Sequence, residues 1–239
     1  MVNFSLKSQE LGRMLESTIT ESTLQFLNTL KINNNRAWFN DHKKQFKKED
    51  DSMKIFFNHL LVKLKIHDEI ERLKVFRIYR DVRFSKNKTP YKNSFSASYA
   101  RSGQHRRGGY YVHIEPGASF IATGFWNPEK HDLLRIRKEW EIDTVELVNV
   151  IENSAFKNTW GPMLGEELKT APKGFDKEDS NIEFIRKKQF IFKINFTDKE
   201  VLADSFADQL NESFKTIRPY FDLMSTVLTT NLNGESLLD

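Results

Sequence analysis

The chain has 239 residues, of which 38% are hydrophobic and 13% aromatic, with 37 Lys and Arg against 33 Asp and Glu. Twenty Phe, four Trp and a net charge of only +4 exclude a disordered chain, which is poor in aromatics and charged in one sense. The absence of cysteine excludes disulfide scaffolds, cysteine nucleophiles, thiolate zinc sites and iron–sulfur clusters, and leaves His and carboxylates as the available metal ligands.

Residues 1–17 carry Lys7, Glu10, Arg13 and Glu16 without an apolar run long enough for a signal peptide or a membrane span. They read as an extension ahead of one domain over 18–232, with 233–239 as a tail, in a cytoplasmic protein. Thr20 is placed to cap a helix from Glu21 to about Lys31, with Leu24, Leu27 and Leu30 on one face. After the turn cluster Asn33, Asn34, Asn35, a second helix carries Trp38, His42 and Phe46. A third, begun by the acids Glu49, Asp50 and Asp51, presents Met53, Phe56, Phe57, Leu60, Leu61 and Leu64.

From Lys74 the period changes to two. Phe76, Ile78, Val82 and Phe84 fall on one face of a predicted half-buried strand, with Val75, Arg77, Tyr79, Asp81 and Arg83 on the other. Further strands are predicted over 94–100, 110–115, 119–125 and 190–196, and short Gly-containing connections favour an antiparallel meander. Asn127-Pro128 reads as a helix start, Asp143 and Glu146 as a capping box, and 153–181 as a long loop with one helical turn. Asp198 opens the C-terminal helices, divided at Pro219. The pattern implies a single α+β domain, a mainly antiparallel sheet with N-terminal and C-terminal helices packed on it.

Charge is strongly polarised. Between Arg72 and Arg107 stand eleven basic residues and one acid, Asp81, a net +10 that leaves −6 for the rest of the chain. Arg80 shares the apolar strand face and would need a carboxylate, carbonyls or a phosphate there. Arg77 and Arg83 flank Asp81 at period-two spacing, so one carboxylate is expected to orient both guanidinium groups. Ser85 to Pro90 then form a polar turn that offers Asn87, Lys88, hydroxyls and backbone donors to an anion.

The run Arg77-Ile-Tyr-Arg80-Asp81-Val-Arg83-Phe84-Ser-Lys-Asn87-Lys88-Thr89-Pro90-Tyr91-Lys92 resembles the signature of the DUF2461 family. The likeness extends to Asn33-Asn-Asn-Arg36-Ala-Trp38-Phe39, Gly109-Tyr-Tyr111-Val-His113-Ile-Glu115-Pro116-Gly117 and Gly124-Phe-Trp126-Asn-Pro128, and covers roughly residues 20 to 230. The resemblance implies an α+β domain of a kind widespread in bacteria. It assigns no catalytic role to any of these residues.

His113 and Glu115, with Tyr111 on the same strand face, could project into one cleft as an acid–base pair, or could simply be a hydrogen-bonded strand histidine and its partner. Two ligands do not define a metal site, so none is assigned. No Gly-x-Ser-x-Gly elbow, dinucleotide fingerprint or RNA-binding signature occurs, and no cofactor is expected. The leading expectation is a phosphate-bearing or multiply anionic small ligand bound by Arg77, Arg80, Arg83, Asn87, Lys88 and Lys92. In it Tyr91 and Tyr111 wall the cleft, Asp81 orients the arginines, and His113 with Glu115 does any proton transfer. The alternatives are a nucleic-acid-binding module using the same window, and a partner-binding scaffold in which the Arg and Asp cluster is structural.

Overall fold

A computed structural model describes residues 18–238. The extension read over residues 1–17 lies outside the described residues. Strands β1 (Ile70–Val75), β2 (Phe95–Arg101), β3 (Gly109–Ile114), β4 (Ser119–Phe125) and β5 (Phe190–Phe196) lie side by side in chain order, each antiparallel to the next. The register joins Leu73, Tyr99, Tyr110, Thr123 and Phe192 in one row across the sheet, with their side chains on the inner face. The neighbouring row, Lys74, Ser98, Tyr111, Ala122 and Lys193, belongs to the outer face, as period-two alternation requires.

The helices are α1 (Glu21–Ile32), α2 (Arg36–Asp41), α3 (Lys43–Leu64), α4 (Lys130–Ile142), α5 (Val145–Ile151), α6 (Ser154–Trp160), α7 (Ile182–Ile185), α8 (Asp198–Val201), α9 (Phe206–Thr216) and α10 (Arg218–Thr229). Ring contacts tie them to the inner sheet face. Phe46 of α3 stacks on Phe95, Phe214 and Phe221 meet Tyr110, Phe156 and Tyr220 meet Phe192, and Phe206 meets Phe196. The result is one α+β domain of two layers, with its core between them. Among the described residues no helix is long and apolar enough to cross a membrane.

Several local expectations are corrected. The second and third predicted helices are broken at His42 and not between Phe46 and Met53. Glu49 therefore lies inside α3, buried, where Ser22 and Thr23 of α1 donate their hydroxyls to it at 2.7 and 2.8 Å. Thr20 occupies the N-cap of α1 without a side-chain cap bond. Helix α4 starts at Lys130, two residues beyond Pro128. No capping box forms at Asp143 and Glu146, where Thr144 is the N-cap of α5 and Asp143 accepts only from Val145 N; Thr197 and Glu200 form one instead at α8. The 153–181 stretch contains the two-turn helix α6.

The largest correction concerns the strand predicted from Lys74. Pairing with β2 ends one residue after Val75, at Phe76 N to Ser96 O. The chain then pairs with itself through the Tyr79–Tyr91 bridge, with Arg80 N to Pro90 O at 2.9 Å and Lys92 N to Ile78 O at 2.8 Å. Between these arms Asp81, Ser85 and Asn87 accept from backbone N–H groups two residues on. Such side-chain turns compete with a ladder, and Pro90 has no N–H to give one. Phe84, expected on the buried face, is 96% exposed.

Candidate functional site

The core-facing positions of β3 are filled by Tyr110, Val112 and Ile114, which turns Tyr111 and His113 to the outer face. There the side chains form a continuous hydrogen-bonded chain. Tyr111 Oη lies 3.2 Å from His113 Nδ1, His113 Nε2 lies 2.9 Å from Glu115 Oε2, and Asn93 Nδ2 donates to Glu115 Oε1 at 2.6 Å. A carboxylate can only accept, so the neutral imidazole carries its proton on Nε2 and receives the Tyr111 hydroxyl on Nδ1. Phe120 of β4 stacks on the His113 ring with centroids 4.7 Å apart. Burial raises the Tyr111 pKa, with a partly opposing hydrogen bond to Ser96. Tyr111 is therefore a proton donor, and both nitrogens of the His113 ring are engaged within this chain of side chains.

A cluster of cations adjoins this chain. Phe76 stands edge-on to Tyr111 at 6.1 Å, and Lys74 Nζ and Lys92 Nζ lie 5.1 and 5.5 Å from the Phe76 ring centroid. Burial, followed by the charges of Arg80, Arg77 and Lys74, holds the Lys92 pKa below the usual lysine value. Arg80 Nη2 reaches only Tyr91 O, at 3.5 Å, and its buried Nε has no partner among the described residues. Lys74, Arg77, Arg80 and Lys92 make no ion pair with any described carboxylate. Four other members of the basic window are paired with acids, Arg83 with Asp81 and three more at the far end of the sheet. Arg101 pairs with Asp68 and Asp222, Arg106 with Glu69, and Arg107 with Asp132.

The fold thus gathers Arg77, Arg80, Lys92, Tyr111, His113 and Glu115 of the sequence-predicted residues, and places the others elsewhere. Asp81 accepts a two-pronged bond from Arg83, at 3.0 Å from Nε and 2.6 Å from Nη2, which holds its carboxyl below the usual range. Arg77 makes no hydrogen bond to Asp81 and acts on it only through its charge, so the expected sharing of one carboxylate by two arginines does not occur. Lys88 Nζ donates to Val82 O, and Asn87 Oδ1 accepts from Thr89, so the polar turn satisfies much of its own hydrogen bonding. Tyr91 is 4% exposed and stacked on Phe39 at 3.9 Å, which removes it from any cleft wall. Asn34 fixes it there: Nδ2 donates to Tyr91 O at 3.0 Å, and Oδ1 accepts from Tyr91 N at 3.1 Å.

Sequence reasoning missed Asn93 and the placement of Lys74 against Phe76. It also missed a groove of about 550 Å³ on the outer face, floored by Ser98, Ala100, Gly109, Ala122 and Gly124. Small residues at period two on β2 (Ser96, Ser98, Ala100) and β4 (Ala122, Gly124), with Gly109 between them on β3, were the signal. Gly124 is required by its own backbone, since its φ is +112° and a Cβ there would lie 2.1 Å from Phe190 O.

A five-stranded antiparallel meander with all its described helix-to-sheet ring contacts on one face, and a basic, hydrogen-bonded patch on the other, defines an α+β domain with a candidate site on its outer face. The chain belongs to the DUF2461 family, the conserved hypothetical proteins, whose model matches residues 22–223. No curated protein and no solved structure matches it.

Proposed function

We propose that this domain binds a phosphate-bearing or otherwise multiply anionic small ligand at the β1 edge of the outer sheet face. Lys74, Arg77, Arg80 and Lys92 supply the counter-charge. The observation that carries this reading is that Lys74 Nζ and Lys92 Nζ both lie against the Phe76 ring, 5.1 and 5.5 Å from its centroid, with no ion pair to a described carboxylate. Like charges held together in a partly desolvated setting are unfavourable unless an anion offsets them, so the free protein is poised for one. Beside them, Glu115 and Asn93 fix the His113 ring, and His113 serves as the acid–base group for an ester or leaving group of the ligand when the ligand takes the place of the Tyr111 hydroxyl at Nδ1. A cysteine-free chain also fits the cytoplasm, where such ligands are abundant.

A second reading, a nucleic-acid-binding module, is favoured by Phe84. It is 96% exposed in a turn that also carries Arg83, Lys86 and Lys88, as a stacking residue beside phosphate-binding cations would be. A thermal-shift titration with pyrophosphate, ribose 5-phosphate and a short single-stranded oligonucleotide, each at two salt concentrations, separates the two. A ligand at 100 times its Kd adds about 2.7 kcal/mol, or roughly 5 to 11 °C for a chain of this size. The small-ligand reading expects a salt-tolerant shift with a small anion that Lys74→Ala and Lys92→Ala abolish. Shifts with the oligonucleotide alone, lost at high salt and on Phe84→Ser, would replace it with the second reading.

A further inference from the structure

The groove lies in the same face as the cation cluster and shares a row with it. Lys74 pairs with Ser98, Ser98 with Tyr111, and Tyr111 with Ala122; of these Ser98, Tyr111 and Ala122 line the groove. Two rows along, on the same face, Arg72 pairs with Ala100, so one lysine and one arginine stand at the β1 end of a floor of small side chains. Neither cation has a described carboxylate partner. The floor spans β2, β3 and β4, which at about 4.8 Å between strands is roughly 10 Å across. Tyr111 rises from β3 between Ser98 and Ala122 and bounds the open floor on that side, the rings of Phe120 and Trp126 stand around the rest, and Trp126 is 61% exposed with no hydrogen bond or ring partner among the described residues.

We infer that the groove receives a planar aromatic body attached to the anion, making the ligand a phosphate ester of mononucleotide size. This rests on the anion-binding reading and adds the chemistry of the ligand's other half. A flat floor of Ser, Ala and Gly lets a ring lie against peptide groups, where a branched aliphatic chain would leave gaps. The aromatic rim supplies stacking faces, and the volume falls in the usual range for a small-molecule site. The only charges along this row are cationic, at Lys74 and at Lys193, whose Nζ lies 4.1 Å over the Phe120 ring. A neutral or cationic aromatic would leave them uncompensated. The adjoining depression, which shares Gly108 and Trp126 with the groove, already holds the Arg107–Asp132 pair and offers an anion less.

The test is calorimetric titration of the full chain with adenosine 5′-monophosphate, ribose 5-phosphate and adenosine. The parent should bind the nucleotide more tightly than ribose 5-phosphate. Trp126→Ala, at an exposed position that leaves the fold intact, and Ala100→Leu, which fills the floor, should each weaken the nucleotide. The expected loss is roughly 5- to 150-fold, the usual range for one aromatic stacking contact. Both variants should leave ribose 5-phosphate within about twofold, and circular-dichroism melting confirms their folding. Equal affinity for the two phosphates, or variants that change neither, would overturn the aromatic groove and leave the anion site standing. Failure of the parent to bind ribose 5-phosphate, pyrophosphate and the nucleotide would overturn both. Nucleotide binding that survives Lys74→Ala with adenosine as good a ligand would overturn the assignment of a phosphate ester.

Discussion

Arg101 donates from Nε to Asp68 Oδ2 at 2.8 Å, with the two side chains 1% and 0% exposed. The same Oδ2 accepts the Tyr110 hydroxyl, while Oδ1 accepts from Glu69 N at 2.8 Å and lies 3.3 Å from Arg218 Nη1. The guanidinium also donates to Arg107 O at 2.8 Å and lies 5.0 Å from the Phe221 ring centroid. This network joins the turn after α3 to β2, β3 and α10. Removing Arg101 takes the fully buried counter-charge from Asp68 and leaves it the partly exposed Arg218, so Arg101→Ala should cost about 3 kcal/mol, the low end for breaking a buried pair. Urea denaturation reads this directly, and a loss below about 1 kcal/mol would show that the pair is dispensable.

The sequence reading anticipated such a lattice but put it at Arg80. Alternation from Phe76 to Phe84 placed Arg80 on an apolar face, yet alternation says nothing about whether a neighbouring strand continues, and pairing with β2 stops at Phe76. The same rule applied to Phe95, Ala97 and Tyr99 puts Arg101 on the core face. Its partner Asp68 lies 33 residues earlier, in the turn after α3, where no local pattern reveals it. Strands β2 to β5 and the chain Tyr111, His113, Glu115 were legible because period two alone defines them. Contacts between distant segments were not, including the Asn34 clasp on Tyr91 and the position of Lys74 and Lys92 about Phe76. The groove depends on small residues coinciding across three strands, which only the register discloses.

Tyr220 is fully buried among Phe125, Phe156, Phe192 and Phe221, and its hydroxyl has no hydrogen-bond partner among the described residues. Burial drives its pKa far above the usual tyrosine value. An unsatisfied buried hydroxyl costs about 1 to 3 kcal/mol, whereas the ring packing survives in phenylalanine. Tyr220→Phe should therefore raise stability, by about 1 kcal/mol. Because the folded pKa is raised, the parent is penalised above about pH 10, where the unfolded phenol ionises and the folded one does not. The variant should lose less stability than the parent on going from neutral pH to above that value. A destabilised Tyr220→Phe protein would show that the hydroxyl has a partner of real value.

Lys92 links stability to binding. Burial and the neighbouring Arg80, Arg77 and Lys74 depress its folded pKa below the usual 10.5, so between these two values the unfolded chain binds more protons than the folded one. Stability supplied through this group is thus largest at high pH and falls as pH drops through the folded pKa, where the ammonium must form among other cations. Lys92→Met removes that ammonium and keeps the stem over Phe76, so it should raise the melting temperature of the free protein at neutral pH. The same change should weaken pyrophosphate binding. Anion affinity in the parent should follow the ammonium, present below the folded pKa and declining as pH rises through it, before free lysine would titrate. Calorimetric titration with pyrophosphate from neutral to alkaline pH reads this, with the decline missing in Lys92→Met. A parent whose affinity holds constant to the normal lysine range would show that Lys92 does not face the anion.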